Sequence, residues 1–191
     1  METLSGPALS EALEDIARLR IAVFRDWPYL YEGSMEYERT YLQAYERSER
    51  AIALGVYDGD WLVGASTGGP LTEHIGDFAD AFKGAGYDME TIFYCGESIL
   101  LPRYRGRGLG HRFFDEREEY ARGMGFEKIC FASVVRPQDH PLKPAAYQTL
   151  DPFWTKRGYQ RLPGVVAHFT WKDVDQAAET EKPLQMWMRD L

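Results

Sequence analysis

The sequence predicts an α/β fold, and three observations carry that expectation. Two stretches, 9–24 and 35–47, repeat apolar and aromatic residues at helical spacing. Residues 51–67 read as a hairpin, two strand-like runs about Asp58-Gly59. Residues 91–124 read as an apolar strand, a Gly-rich turn and an amphipathic helix. A chain of 191 residues, 45% hydrophobic and 27% charged, suits one domain, 1–191, with a core of its own.

The first helix follows from Leu9, Leu13, Ile16, Leu19, Arg20, Val23 and Phe24, with Pro7 or Ser10 at its start. Trp27-Pro28 stops it, because a residue before proline avoids the helical region. The link Trp27–Gly33 is aromatic and irregular. Ser34 reads as an N-cap for a second helix, Met35–Arg47, whose Tyr37, Tyr41 and Tyr45 share one face; packing is the reading for Tyr41 and Tyr45. Ala51–Tyr57 and Trp61–Thr67 are the hairpin strands, with Gly64 at a bulge or bend. Gly68-Gly69-Pro70 breaks the pattern, and a helical one follows through Ile75, Phe78, Ala79 and Phe82 to Gly84 or Gly86. Glu73, His74 and Asp77 read as its solvated face.

Thr91–Leu101 is mostly apolar, hence a central strand. Glu97 stands out in it. A buried carboxylate is costly unless paired or used. Burial would also raise its pKa toward neutrality, where a general base works best. Pairing with a neighbouring Arg, or a place where the strand meets solvent, explains Glu97 equally well. Gly96 beside it permits a bulge.

The next stretch organises the chain. Glycines 106, 108 and 110 free the backbone of Cβ atoms, and the helix behind them presents unpaired N–H groups and a positive dipole end. Arg103, Arg105, Arg107 and Arg112 lie there with no carboxylate among them, although the chain is acidic overall. Such a site suits a phosphate or pyrophosphate. No Gly-Lys-Ser/Thr closes it, so it is not a P-loop. The glycine spacing is not Gly-x-Gly-x-x-Gly, and no acidic residue ends a second strand at the right distance, so it is not a dinucleotide fingerprint.

The helix runs from about Gly108 to Arg122 and stops at Gly123-Met124-Gly125. Lys128–Val135 is the next strand. Arg136–Pro144 is too proline-rich for regular structure. Asp139-His140 has no accompanying nucleophile and is not a catalytic dyad. Val165–Lys172 and Leu184–Leu191 are the last strands, joined by a polar, mobile linker, Asp173–Lys182. Phe169, Trp171 and Trp187 fit either core or a dimer surface.

A net charge of −8 argues against nonspecific nucleic-acid binding. Cys95 and Cys130 lie in apolar runs and read as buried thiols in a reducing compartment. No Cys/His spacing suggests a metal, and no run is of membrane length. With no signal peptide at Met1–Pro7, these readings predict a cytoplasmic protein without a membrane partner.

The segment Leu100-Leu101-Pro102-Arg103-Tyr104-Arg105-Gly106-Arg107-Gly108-Leu109-Gly110, with its Arg103-x-x-Gly106-x-Gly108 core, resembles the pyrophosphate loop of the GNAT superfamily of acyl-CoA N-acyltransferases. The resemblance implies a mixed, strongly twisted central sheet with helices on both faces. It implies acetyl-CoA as acyl donor, no metal, and direct attack by a primary amine of a small molecule or peptide. Leu100, Arg103, Tyr104, Arg105, Gly106, Arg107, Gly108, Leu109, Gly110 and His111 would hold the donor, with a backbone N–H near Leu100 polarising the acetyl carbonyl. Glu97 would be the base. Tyr29 and Tyr31, on the link between the first helices, and His140 would line the acceptor site, with the helix before Thr91 a candidate lid. Residues 144–159 resemble the family's fourth helix, interrupted by Asp151-Pro152. Trp154 stands where the family commonly has the tyrosine that reprotonates the leaving thiolate, and indole cannot serve. Tyr147 either contacts the pantetheine arm or supplies that acid. A thiol of pKa about 8.5 also leaves without one. The last two strands sometimes pair subunits in this family, which makes a homodimer an expectation. The alternative to an enzyme is a non-catalytic acyl-CoA sensor or interaction module.

Overall fold

Pro7 lies in the first turn of helix α1 (Gly6–Phe24), where its missing N–H costs nothing. Leu9, Ala12, Ile16, Ala17 and Leu19 are buried along its stripe, and Arg20 is buried with them. Helix α2 (Met35–Arg47) begins where the Tyr37 N–H donates to Ser34 Oγ at 3.3 Å. The computed structural model describes residues 1–73 and 76–191, and only the backbone at 76 and 77.

Seven strands form one mixed sheet: β1 (Glu2–Leu4), β2 (Ile52–Asp58), β3 (Trp61–Pro70), β4 (Ile92–Leu100), β5 (Lys128–Val134), β6 (Gln160–Lys172) and β7 (Glu179–Asp190). Their order is β1-β2-β3-β4-β5-β7-β6, with β4 and β5 parallel and every other neighbouring pair antiparallel. One face carries α1, α2 and α3 (Gly76–Asp80). The other carries α4 (Leu109–Gly123) and α5 (Asp151–Lys156), whose Phe113, Phe114, Phe153 and Trp154 pack on Phe93, Ile129, Phe131 and Trp187.

Two irregularities of β4 position the site. Ser66 pairs with Ser98 but Gly68 with Cys95, so Gly96 and Glu97 together oppose Thr67. This bulge, at the glycine where one was expected, reverses the side-chain alternation. Tyr94 and Glu97 consequently face the same helices, α1 to α3, while Ser98 turns toward α4. A Cβ on Gly96 would lie 2.0 Å from the Tyr45 hydroxyl, so the bulge and its neighbour require glycine. The second irregularity is that the parallel ladder joins only Ile92–Lys128, Phe93–Ile129 and Tyr94–Cys130. Beyond Tyr94 the two strands part, although both continue.

Several expectations are corrected. Gly68-Gly69-Pro70 does not break the hairpin but continues β3. The helix before Thr91 is shorter than its pattern, ending at Asp80, and Phe78 and Phe82 bury themselves in the core beside Tyr94 and Leu184. The expected solvated face at His74 and Asp77 lies outside the described residues. Residues 144–150 are not helical, and Asp151-Pro152 opens α5 instead of interrupting it, since proline suits a first helical turn. The linker 173–182 is not a free polar tether. β7 starts at Glu179, Asp173 is fully buried against Arg136, and Lys182 is buried over the Trp171 ring. Trp187 is core, whereas Phe169 and Trp171 border a cavity.

Candidate active site

The donor side begins where β4 ends. Pro102–Tyr104 makes one tight turn, and Gly106 and Gly108 follow with φ of +72° and +78°. That region is costly for residues with a Cβ. Gly108 caps α4, and Arg112 N–H makes the first helical bond, to the Gly108 carbonyl. Among the described residues, the amides from Gly106 to His111 donate to no protein acceptor. Unpaired amides at a helix N-terminus hold anions. Arg103, Arg105 and Arg107 stand exposed around them. Arg105 Nε donates to the Leu100 carbonyl at 3.1 Å and Arg107 to the Arg103 carbonyl at 3.0 Å. Tyr104 is buried, its hydroxyl bonded to Asp58 at 2.5 Å, with the Arg103 and Arg107 guanidinium groups over its ring. Tyr104 thus anchors the loop from behind. The exposed His111 ring packs on Phe153, with its Nδ1 3.3 Å from Arg157. Residues 100–111 therefore form one continuous cradle at the open end of the gap between β4 and β5, and its donors suit a diphosphate.

The other side of the gap is a cavity of about 370 Å³. Tyr29 and Tyr31, expected at an acceptor site, both line it. Burial pushes the Tyr29 phenol up to about 12, and Tyr31 is likewise raised, by burial and by Glu38. The link that carries them is pinned. Arg136 donates to the Pro28 carbonyl at 2.8 Å, to the Tyr29 carbonyl, and to Asp173 at 2.6 Å, while Trp171 Nε1 reaches the Tyr29 carbonyl at 3.2 Å. His140 and Tyr147 are not among the lining residues. Both rings pack on Trp27 of that link, at 5.1 and 5.8 Å between centroids. Burial and the Asp151 charge raise the Tyr147 phenol. Trp154 packs into the core against Phe131 and Trp187.

Glu97 adjoins the cavity through Gly96 and is buried. Its Oε2 accepts from Arg20 Nη1 and, at 3.3 Å, from the Tyr41 hydroxyl. Arg20 Nε meets Glu38, also buried. Burial alone would lower the Arg20 pKa. The charges of Glu97, Tyr41 and Glu38 override it and hold the guanidinium above its ordinary value. The cluster is two carboxylates around one cation, formally one net negative charge, and Glu97 Oε1 is buried without a hydrogen-bond partner. From the other face of the sheet Arg117 donates to the Glu97 and Thr67 carbonyls at 2.8 and 3.1 Å and to Ser98 Oγ at 2.7 Å. It satisfies the backbone groups that the bulge frees.

Sequence reasoning missed Arg20, Glu38 and Tyr41 as site residues, and the role of Arg117. One signal was present: Arg20 and Arg117 each sit within an otherwise apolar helical stripe. A charge on a core face demands a buried partner. Among the described residues no group of three or more His, Cys, Asp or Glu side chains is arranged to hold a metal, and no helix is long and apolar enough to cross a membrane.

A sequence model of the acetyltransferase (GNAT) family matches residues 13–146. Solved structures share the fold over the whole chain. A ribosomal-protein-alanine N-acetyltransferase from Brucella melitensis superposes with a TM-score of 0.62 at 11% identity, covering 100% of both chains. An N-acetyltransferase from Staphylococcus aureus Mu50 gives 0.60 at 10% identity, covering 100% of this chain and 99% of that one. An aminoglycoside 6'-N-acetyltransferase complexed with coenzyme A gives 0.57 at 17% identity, covering 100% of this chain and 97% of that one. At such identities the likeness shows the fold alone. No curated protein matches by sequence.

Proposed function

The chain belongs to the GNAT acetyltransferase family, and on that premise we propose that it transfers an acetyl group from acetyl-CoA to a primary amine, by direct attack within a ternary complex. One observation carries the reading: β4 and β5 part beyond Tyr94, and the gap leads to the anion cradle at one end and to the aromatic cavity on one side. An extended thioester arm fits such a gap. The backbone edge of β4 that β5 leaves unpaired supplies donors to polarise the acetyl carbonyl. The coenzyme A complex of the structurally similar aminoglycoside 6'-N-acetyltransferase supports a coenzyme A ligand for this fold.

In this reading Gly106 to His111 hold the pyrophosphate by backbone amides, with Arg103, Arg105 and Arg107 adding charge. Glu97 accepts the ammonium proton at Oε1, directly or through one water, while Arg20 and Tyr41 fix its other oxygen. Nitrogen then attacks the acetyl carbon, the C–S bond breaks, and the thiolate takes a proton from Tyr147 or from solvent, while the second proton that the nitrogen sheds restores the Tyr147 phenol or passes to solvent. A phenol is protonated near neutrality, and burial with the Asp151 charge raises that of Tyr147 further.

The test is release of the coenzyme A thiol from acetyl-CoA across a panel of primary amines. Amine-dependent release with an N-acetylated product is expected. Binding without release on the whole panel overturns the transferase reading in favour of an acyl-CoA sensor, which the core placement of Trp154, with no phenol there, would favour.

A further inference from the structure

The cavity beside Glu97 has aromatic walls. Nine of its nineteen lining residues are Phe, Tyr or Trp. On one side Phe24 packs on Tyr29 with rings tilted at 33° and centroids 4.3 Å apart, and Tyr29 lies nearly parallel to Trp171 at 6.1 Å and 27°. On another, Phe78 bridges Tyr94 and Phe169 at 4.4 and 4.3 Å. These rings come from five parts of the chain: α1, the α1–α2 link, α3, β4 and β6.

The charges are confined to the two ends. At the inner end lies the Glu38–Arg20–Glu97 cluster, with its net negative charge and the unpaired Glu97 Oε1. At the mouth Glu32 is paired with Lys172 at 3.2 Å, and Glu179 is exposed. Between the ends no carboxylate lines the wall. A polyamine or an aminoglycoside carries several ammonium groups and would place at least one between the ends, where rings attract it but no carboxylate neutralises it. A ligand with one ammonium at the inner end and a flat apolar body behind it meets complementary surface throughout.

We propose that the acceptor is an arylalkylamine: one primary amine on a short chain attached to an aromatic ring, the ring held by Tyr29, Phe78, Phe169 and Trp171. The assignment rests on the acetyl-transfer reading only for its chemistry. The ammonium gives one proton to Glu97, the nitrogen forms a bond to the acetyl carbon, the C–S bond breaks with the sulfur electron pair leaving on coenzyme A, and the nitrogen's second proton balances the one the thiolate takes up.

The experiment compares 2-phenylethylamine and tryptamine with spermidine, kanamycin and a lysine-containing peptide in acetyl-CoA turnover. Calorimetric titration of 2-phenylethylamine in the presence of coenzyme A runs alongside. The expected result is a KM for 2-phenylethylamine at least tenfold below that for spermidine. Trp171→Ala and the milder Phe169→Leu should each raise it several-fold while the KM for acetyl-CoA stays within twofold. A polycation or the peptide used as well as the arylamines, or arylamine KM values unmoved in both variants, overturns the assignment. Calorimetric binding of 2-phenylethylamine without turnover of any amine keeps the arylamine site and overturns acetyl transfer. Turnover of spermidine with no binding of 2-phenylethylamine does the reverse. No binding of 2-phenylethylamine, whatever else is turned over, also overturns the site.

Discussion

Arg117 donates to the Glu97 carbonyl at 2.8 Å from one face of the sheet, while the Glu97 carboxylate pairs with Arg20 on the other. A single bulge residue is therefore gripped by two buried arginines from helices on opposite faces. The bulge turns Glu97 toward the cavity, and Arg117 supplies the donors that the interrupted ladder lacks. Replacing Arg117 by Met leaves the Thr67 carbonyl without that donor and the Glu97 carbonyl with Ser66 Oγ alone. The expected loss is about 2–3 kcal/mol of unfolding free energy. Urea denaturation would show it as a lowered midpoint with unchanged slope. A midpoint equal to that of the wild type would dismiss the role.

Glu97→Gln keeps the shape and a hydrogen-bond acceptor for Arg20 but cannot take a proton. The rate at limiting amine should fall at least tenfold, about 1.4 kcal/mol or more in the barrier. The KM for acetyl-CoA should stay within twofold, because the cradle is built from residues 100–111. A rate within a few-fold of wild type, with an unmoved pH profile, would leave Glu97 a purely structural ion-pair partner.

Gly108→Ala tests the cradle. Its φ of +78° is a left-handed conformation, and a Cβ there costs about 1–2 kcal/mol. Open space surrounds the position, so the penalty is conformational rather than steric. The variant should bind coenzyme A roughly fivefold to thirtyfold more weakly, while its KM for the amine changes little. Equal loss of both would show that the loop serves the fold as a whole.

Stability should decline in alkali. Burial pushes the Cys95 thiol from 9.0 up to about 11 and the Tyr29 phenol from 10.0 up to about 12. The unfolded chain loses these protons first, so it binds fewer protons than the folded state between pH 9 and 12. The stability these two groups contribute is therefore full below pH 9 and is lost as pH rises through that window. Chemical denaturation at pH 8, 9.5 and 11 checks the sign. Cys95→Ser should flatten the part of the fall between pH 9 and 11. A midpoint that rises with pH would contradict the burial of these groups.

Local signals carried most of the frame. The Ser34 cap, the limits Met35–Arg47, the turn at Gly59 and the loop at 103–110 all depend on residues within one turn of one another. The Gly96 bulge was legible as a permission, but its effect on facing was not. That effect depends on the register with Thr67. The Arg20–Glu97 pair joins residues 77 apart, and Arg136–Asp173 joins residues 37 apart. No local pattern encodes which buried charge meets which. Residues 144–150 looked helical from the resemblance, yet Pro144 and Pro152 bracket them. The chain instead packs Tyr147 on Trp27, and a helix forms only from Asp151.

The central claim is that residues 100–111 and the parting of β4 from β5 form an acetyl-CoA site. Calorimetric titration of the protein with acetyl-CoA tests it most directly. Saturable binding at one site per chain, with a Kd below 1 mM and about −4 kcal/mol or more of binding free energy, is the predicted result. No saturable heat up to millimolar acetyl-CoA, with the protein folded, would contradict it.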